Sequence, residues 1–161
     1  MTSINSKSIL QSITIGIIAG MRSALAPALA SYIASNQKNN ERKDVTLKFL
    51  RSKKATAVLT IMAAGELIVD KLPATGNRIE PAGITARFVS GGASAALLSK
   101  GNNKVIIVSA LIGSVAAIAS AYGCYYLRKN LGKNTSIPDF VLGAIEDSLA
   151  IGAGIALINN A

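Results

Sequence analysis

Five ionisable side chains stand in stretches that are otherwise apolar: Arg22, Glu66, Arg87, Glu146 and Asp147, with Asp70 four residues beyond Glu66. A guanidinium does not give up its proton, so in hydrocarbon surroundings it must find a carboxylate, carbonyl oxygens or water. A carboxylate in the same setting binds a cation, pairs with an arginine or takes up a proton. Setting Arg22 and Arg87 against Glu66, Glu146 and Asp147 leaves one excess negative charge. That balance favours a bound cation or one protonated acid. Glu66 and Asp70 are spaced i,i+4 and share a helix face. Asp147 lies about 100° around the helix from Glu146, so the two acids can serve neighbouring partners.

The elements that must position these groups are apolar helices. Half of the residues are hydrophobic and 16% are charged, against about 25% in ordinary globular chains, and the mean hydropathy is +0.43. Such a composition argues against disorder. Fourteen glycines and many alanines suit close helix packing in lipid. The clearest segment is Val105 to Leu127, 23 residues without a formal charge, closed by Arg128 and Lys129 with Tyr122, Tyr125 and Tyr126 near that end. A second runs from about Pro138 to Ile158, with Pro138 suited to a first helical turn. The remaining segments are about Ile9 to Ala34, which holds Arg22 and Pro27, then Ala55 to Leu72, then Pro81 to Leu98. The last is interrupted by Arg87 and by Gly91-Gly92 and either spans or re-enters. The expectation is one all-α domain over residues 1–161, a polytopic membrane bundle of about five transmembrane helices, with four as the alternative.

Alternating spans bring the charges together. The end of the second span and the starts of the third and fifth share one side, whatever the orientation. Glu66 and Arg87 then lie about 9 Å below that interface, Glu146 about 13 Å and Arg22 about 20 Å. One pocket open to one face is the expected result. Helix-weakening residues follow both arginines: Pro27 after Arg22, Gly91 and Gly92 after Arg87. Interrupted helices free backbone groups that can bind a solute. The opposing reading gives the same charges a structural role as a salt-bridge network, Pro27 a simple kink, and the glycine runs, including Gly152-Ala153-Gly154, close helix contacts.

Several functions drop out. With no histidine, the familiar zinc sites and histidine-based triads are excluded, and no metal or cofactor is expected. The single cysteine, Cys124, forbids an intrachain disulfide and reads as a small apolar filler. A net charge of +9 raises nucleic acid as a partner, but aromatic residues are only 4% and the basic residues gather in connectors. The connector at about 36–54 holds seven Lys/Arg, the pattern of a cytoplasmic loop facing anionic lipid. Counting it with Lys100 and Lys104 against Lys7, Lys71, Arg78, Arg128, Lys129 and Lys133 gives nine against six, which favours an external N-terminus. Ala24-Leu25-Ala26 resembles a signal-peptidase site, but Arg22 within the apolar run and Pro27 after the cut argue against cleavage.

Ala19-Gly-Met-Arg-Ser23 with Ala26-Pro27, then Gly65-Glu66, Asp70-Lys71-Leu72-Pro73, Arg78, Pro81 and Arg87 form an ordered set. It continues through Gly123 to Arg128, Pro138-Asp139 and Glu146-Asp147-Ser148. This set resembles a bacterial integral membrane family catalogued as domain of unknown function 4126. The resemblance covers nearly the whole chain and implies a small multi-pass protein of the cell membrane, the bacterial inner membrane. It supplies no substrate.

The expectation for function is transport of a small solute, ion or proton through a polar pocket formed by Arg22, Glu66, Asp70, Arg87, Glu146 and Asp147. The alternative is a structural or partner-binding membrane protein, with a homo-oligomer among its partners and membrane lipids around it. A third reading, a membrane enzyme with Glu66 or Asp147 as general base, lacks a nucleophile motif and a metal cluster.

Overall fold

The computed structural model describes residues 5–37, 49–69, 80–134 and 139–160. They form six α-helices, and no strand occurs among the described residues. The helices are α1 (Ser6–Met21), α2 (Leu25–Asn36), α3 (Lys53–Val69), α4 (Pro81–Leu98), α5 (Asn103–Asn134) and α6 (Asp139–Asn159). Local chemistry sets several starts. The Asn5 side chain accepts from the Lys7 N–H at 3.4 Å, Ser52 Oγ from the Ala55 N–H at 3.1 Å, and Asn102 Oδ1 from the Val105 N–H at 3.1 Å. Each takes up a donor that a first turn leaves without an intrahelical partner. Pro81 opens α4, where its missing N–H costs nothing. Asp70, Lys71, Arg78 and Pro138 lie outside the described residues.

The segment expected as a first span is two helices that run in opposite directions. Along α6 from its N-terminal part toward its C-terminus, α1 passes from Met21, which shares a cavity with Ile145 and Leu149, to Leu10 and Ser6, beside Ala156 and Asn160. Alongside the same helix, α2 runs the other way. Arg22 meets Asp147 and Leu29 packs on Gly154. The chain therefore turns back at Arg22–Ala24, and α1 and α2 form a helical hairpin. Pro27 accounts for the break. It has no N–H for the carbonyl four residues earlier, that of Ser23, and its ring clashes with that carbonyl in a continuous helix. Arg22 is extended, with φ −139° and ψ 107°.

From α3 onward the helices alternate in direction. Glu66 lies at the hairpin tip while Thr56 Oγ1 is 2.8 Å from Ser31 Oγ, so α3 runs antiparallel to α2. Gly91 and Ala95 of α4 face Gly113 of α5 and Gly91 also faces Ala117, again antiparallel. The core is a seam of small residues. A Cβ on Gly16 or Gly20 would strike the Gly113 or Ala117 carbonyl oxygen of α5, and one on Gly91 would fall 2.7 Å from the Gly113 oxygen. Backbones approach this closely only where side chains are absent. The expected interruption of α4 at Gly91 and Gly92 is not present. The helix passes through both residues unbroken, because Gly weakens a helix by only about 1 kcal/mol and here each lets α5 come close.

Residues Asn103–Gly132 and Phe140–Asn159 are long and apolar enough to cross a membrane.

Candidate functional site

A hairpin turn deprives the backbone of its helical partners, and each such group must be satisfied elsewhere when buried. In a continuous helix the Ser23 and Ala24 amides would donate to Ala19 and Gly20. Here both go to Glu66 of α3: Ser23 N–H to Oε1 at 2.9 Å and Ala24 N–H to Oε2 at 2.7 Å. Ser23 Oγ also donates to Oε1 at 2.9 Å. One carboxylate thus caps the start of α2, where the helix dipole favours negative charge. The carbonyls are satisfied from α4. Arg87 Nε donates to Gly20 O at 3.1 Å, and Ser90 Oγ donates to Ser23 O, the oxygen that Pro27 cannot serve.

Arg22 points away from these groups, toward α6. Its Nε donates to Asp147 Oδ1 at 2.6 Å, and Nη2 also pairs with that oxygen. The Arg22 side chain is 3% exposed and that of Asp147 14%. The tip therefore draws charged groups from three other helices: α3 through Glu66, α4 through Arg87 and α6 through Asp147. All arrive from the same end of the bundle.

Glu146 belongs to a second group. It lies within 4.0 Å of Arg128 Nη2 of α5, and the Arg128 guanidinium rests over Gly143, where a Cβ would come within 2.7 Å of Nη2. Both residues line a cavity of about 170 Å³ between the two helices, walled by Met21, Cys124, Leu127, Leu142, Ile145 and Leu149 among others. Arg22 lines neither this cavity nor the larger one between the start of α1 and the end of α6.

Of the six anticipated pocket residues, Arg22, Glu66, Arg87 and Asp147 meet at the tip; Glu146 lines the neighbouring cavity with Arg128, and Asp70 lies outside the described residues. Arg22 pairs with Asp147. Sequence reasoning missed Ser23, Ser90 and Arg128. Two signals were present for the serines. Ser23 is four residues before Pro27 and so has an unserved carbonyl, and Ser90 is one helical turn from Arg87. No group of three or more metal-ligating side chains occurs among the described residues.

An all-helical bundle with a paired polar site at the turn of a helical hairpin is the class these features define. The chain belongs to the family described as Domain of unknown function (DUF4126), whose model matches residues 9–160. Nothing among the curated proteins or the solved structures matches the chain.

Proposed function

We propose that the protein is an integral membrane protein in which α3 to α6 cross the bilayer and the α1–α2 hairpin re-enters it. In this reading the hairpin tip is a closed gate for a small ion or solute. The distribution of polarity supports the membrane setting. Large apolar side chains are exposed on every helix, among them Leu10, Tyr32, Ile61, Val89, Leu111 and Ile155, while Arg22, Arg87 and Glu146 are buried. A water-soluble fold has the reverse arrangement. Gly20 sits against Ala117 and Ala121 of α5, so the tip lies about 10 Å short of the level of Arg128, seven residues on. Non-helical backbone at that depth is tolerated only when enclosed by protein or lining an aqueous cavity.

A re-entrant hairpin places Ser6, the 36–54 connector, Lys100 and Lys104 on one side. Ten Lys/Arg then face five (Lys71, Arg78, Arg128, Lys129 and Lys133). This replaces an external N-terminus by a cytoplasmic one, and the tip then approaches the outer face.

The observation that carries the gate is the bonding of Glu66. A carboxylate on one helix holds both amides that open another, so withdrawing α3 by a few ångströms frees an anion-binding helix start and a carboxylate together. The protein performs no bond chemistry in this reading. Reconstitution in proteoliposomes tests it. Glu66→Gln should alter flux of at least one ion or small solute from a broad panel by tenfold or more, with the fold retained. No flux in the wild-type protein for any member of the panel would overturn it.

A second reading is favoured by the enclosure of Arg22, which is 2% exposed. Here the charges are a permanent lock and the protein is a scaffold or partner-binding subunit. Accessibility separates the two. In a Cys124→Ser background, a cysteine introduced by Ser23→Cys should react with a water-soluble thiol reagent if the gate opens, and stay unreactive if it is a lock.

A further inference from the structure

The cavity between α5 and α6 lies beside the hairpin tip but is not part of it. Met21, the last residue of α1, forms its inner wall. Its lining spans Cys124 to Leu131 on α5 and Leu142 to Leu149 on α6, two helical turns or about 10 Å on each helix. That is about a third of the ~30 Å hydrocarbon thickness. Apart from Arg128 and Glu146, every lining side chain is apolar or a thiol. Leu127, Ile145 and Leu149 are exposed, so the cavity opens on the outer face of the bundle. Arg128 closes the apolar stretch of α5 and reaches across to α6 because Gly143 carries no side chain. Lys129 follows it, with Nζ 5.9 Å from the centre of the Tyr125 ring, and Tyr125 meets Tyr126 edge to face at 5.4 Å. Basic and aromatic residues at the end of an apolar helix are what a headgroup layer selects.

We propose that this cleft binds one anionic phospholipid, with the upper part of an acyl chain between α5 and α6 and the phosphate on Arg128. The guanidinium presents its donors in a planar fork, the geometry that suits a phosphate's oxygens. Beside the pair formed by Arg128 and Glu146, Lys129 follows in the chain and adds one positive charge, which a phosphodiester would balance. The tail requirement excludes free phosphate as the natural occupant. A chain seated here would touch Met21, so the lipid would brace the gate from its side. The inference rests on the membrane setting proposed above but not on transport.

The test is lipid retention on the purified full-length protein, by native mass spectrometry after delipidation and exposure to phosphatidylglycerol, phosphatidylcholine or inorganic phosphate. Phosphatidylglycerol should be retained about fivefold over phosphatidylcholine, the preference one basic side chain gives near a headgroup. Arg128→Gln should abolish the preference. Leu149→Trp, which fills the cleft from an exposed position, should reduce retention of both lipids. Helical content measured on each variant confirms that it is folded. Equal retention of the two lipids by wild type, an unchanged preference in Arg128→Gln, or displacement by inorganic phosphate would each overturn the proposal. If the protein is soluble and monodisperse without detergent, the membrane setting itself fails. If it needs detergent and shows no lipid preference, only the lipid site fails.

Discussion

Helix α1 is held in two different ways along its length. Over its C-terminal half, Gly16 and Gly20 lie on the backbone of α5, and the close fit is joined by a hydrogen bond from Ser120 Oγ to Ile17 O at 2.9 Å. At the turn that follows it, Gly20 O, Arg22, Ser23 and Ala24 are held by hydrogen bonds and an ion pair to α3, α4 and α6. A glycine seam has one arrangement, since any separation loses its contacts without substitute. Polar contacts can exchange partners with water or an ion at little net loss. The seam is therefore suited to be the rigid part and the tip the part that can open. α3, whose Glu66 holds both amides at the tip, is the element whose withdrawal would open it.

The largest expected effect tests the charged region. Arg22→Ala leaves Asp147 facing a buried cavity without its guanidinium, and breaking a buried pair from one side costs about 3–5 kcal/mol. Unfolding in detergent should show that loss, and Arg22→Ala with Asp147→Ala should recover part of it. If the single variant is as stable as wild type, the ion pair does not hold the tip.

Next comes the seam. Gly16→Ala puts a methyl against the Gly113 oxygen and 2.7 Å from Ala116 Cβ, so overpacking of about 1–3 kcal/mol is expected. Gly152→Ala on α6 meets nothing within 4 Å and should be neutral, or stabilising by up to about 1 kcal/mol through helix propensity. Equal behaviour of the two glycines in thermal unfolding would remove the contrast between seam and surface. Glu66→Gln sits at a similar magnitude. The amide keeps one acceptor for the Ser23 or Ala24 N–H but opposes the other with a donor, at about 1–3 kcal/mol. If Gly16→Ala abolishes flux through misfolding while Glu66→Gln changes it in a folded protein, rigid and movable regions are separated as argued.

How much of this was legible in the sequence follows from the same contrast. Apolar runs located the helices α3, α4 and α6 to within a few residues, while α5 runs seven residues beyond the expected Leu127 and the first run proved to be two helices. Alternation from α3 onward brought Glu66, Arg87 and Glu146 to one side without depending on what precedes it, and it is Glu146's neighbour Asp147 that pairs with Arg22 at the tip. The reversal at Arg22–Ala24 was not legible. Pro27 signals a kink or a hairpin equally, and only the bonds offered by Glu66, Arg87 and Ser90 decide between them. The pairing of Arg22 with Asp147, the neighbour of Glu146, turns on a rotation of about 100° on α6, finer than span boundaries can resolve. Gly91 and Gly92 stood between two readings, an interrupted helix and a close helix contact, and the contact is what occurs. Glycine marks both broken helices and touching ones, and the facing Gly113 that distinguishes them is distant in sequence.

The smallest expected effect bears most directly on why the hairpin exists. If Pro27 creates the break by leaving Ser23 O unserved, Ser90 Oγ is its substitute donor. Ser90→Ala should then cost about 1 kcal/mol, the usual net worth of one hydrogen bond. Pro27→Ala restores an N–H at the third residue of α2, placed to reach Ser23 O as the Ala28 N–H reaches Ala24 O at 3.3 Å. In that background Ser90→Ala should cost clearly less, and the coupling is read from a double-mutant cycle of unfolding free energies. Additive losses would mean that Ser90 acts on something other than the carbonyl Pro27 exposes. The hairpin would then owe its turn to Glu66 and Arg87 alone.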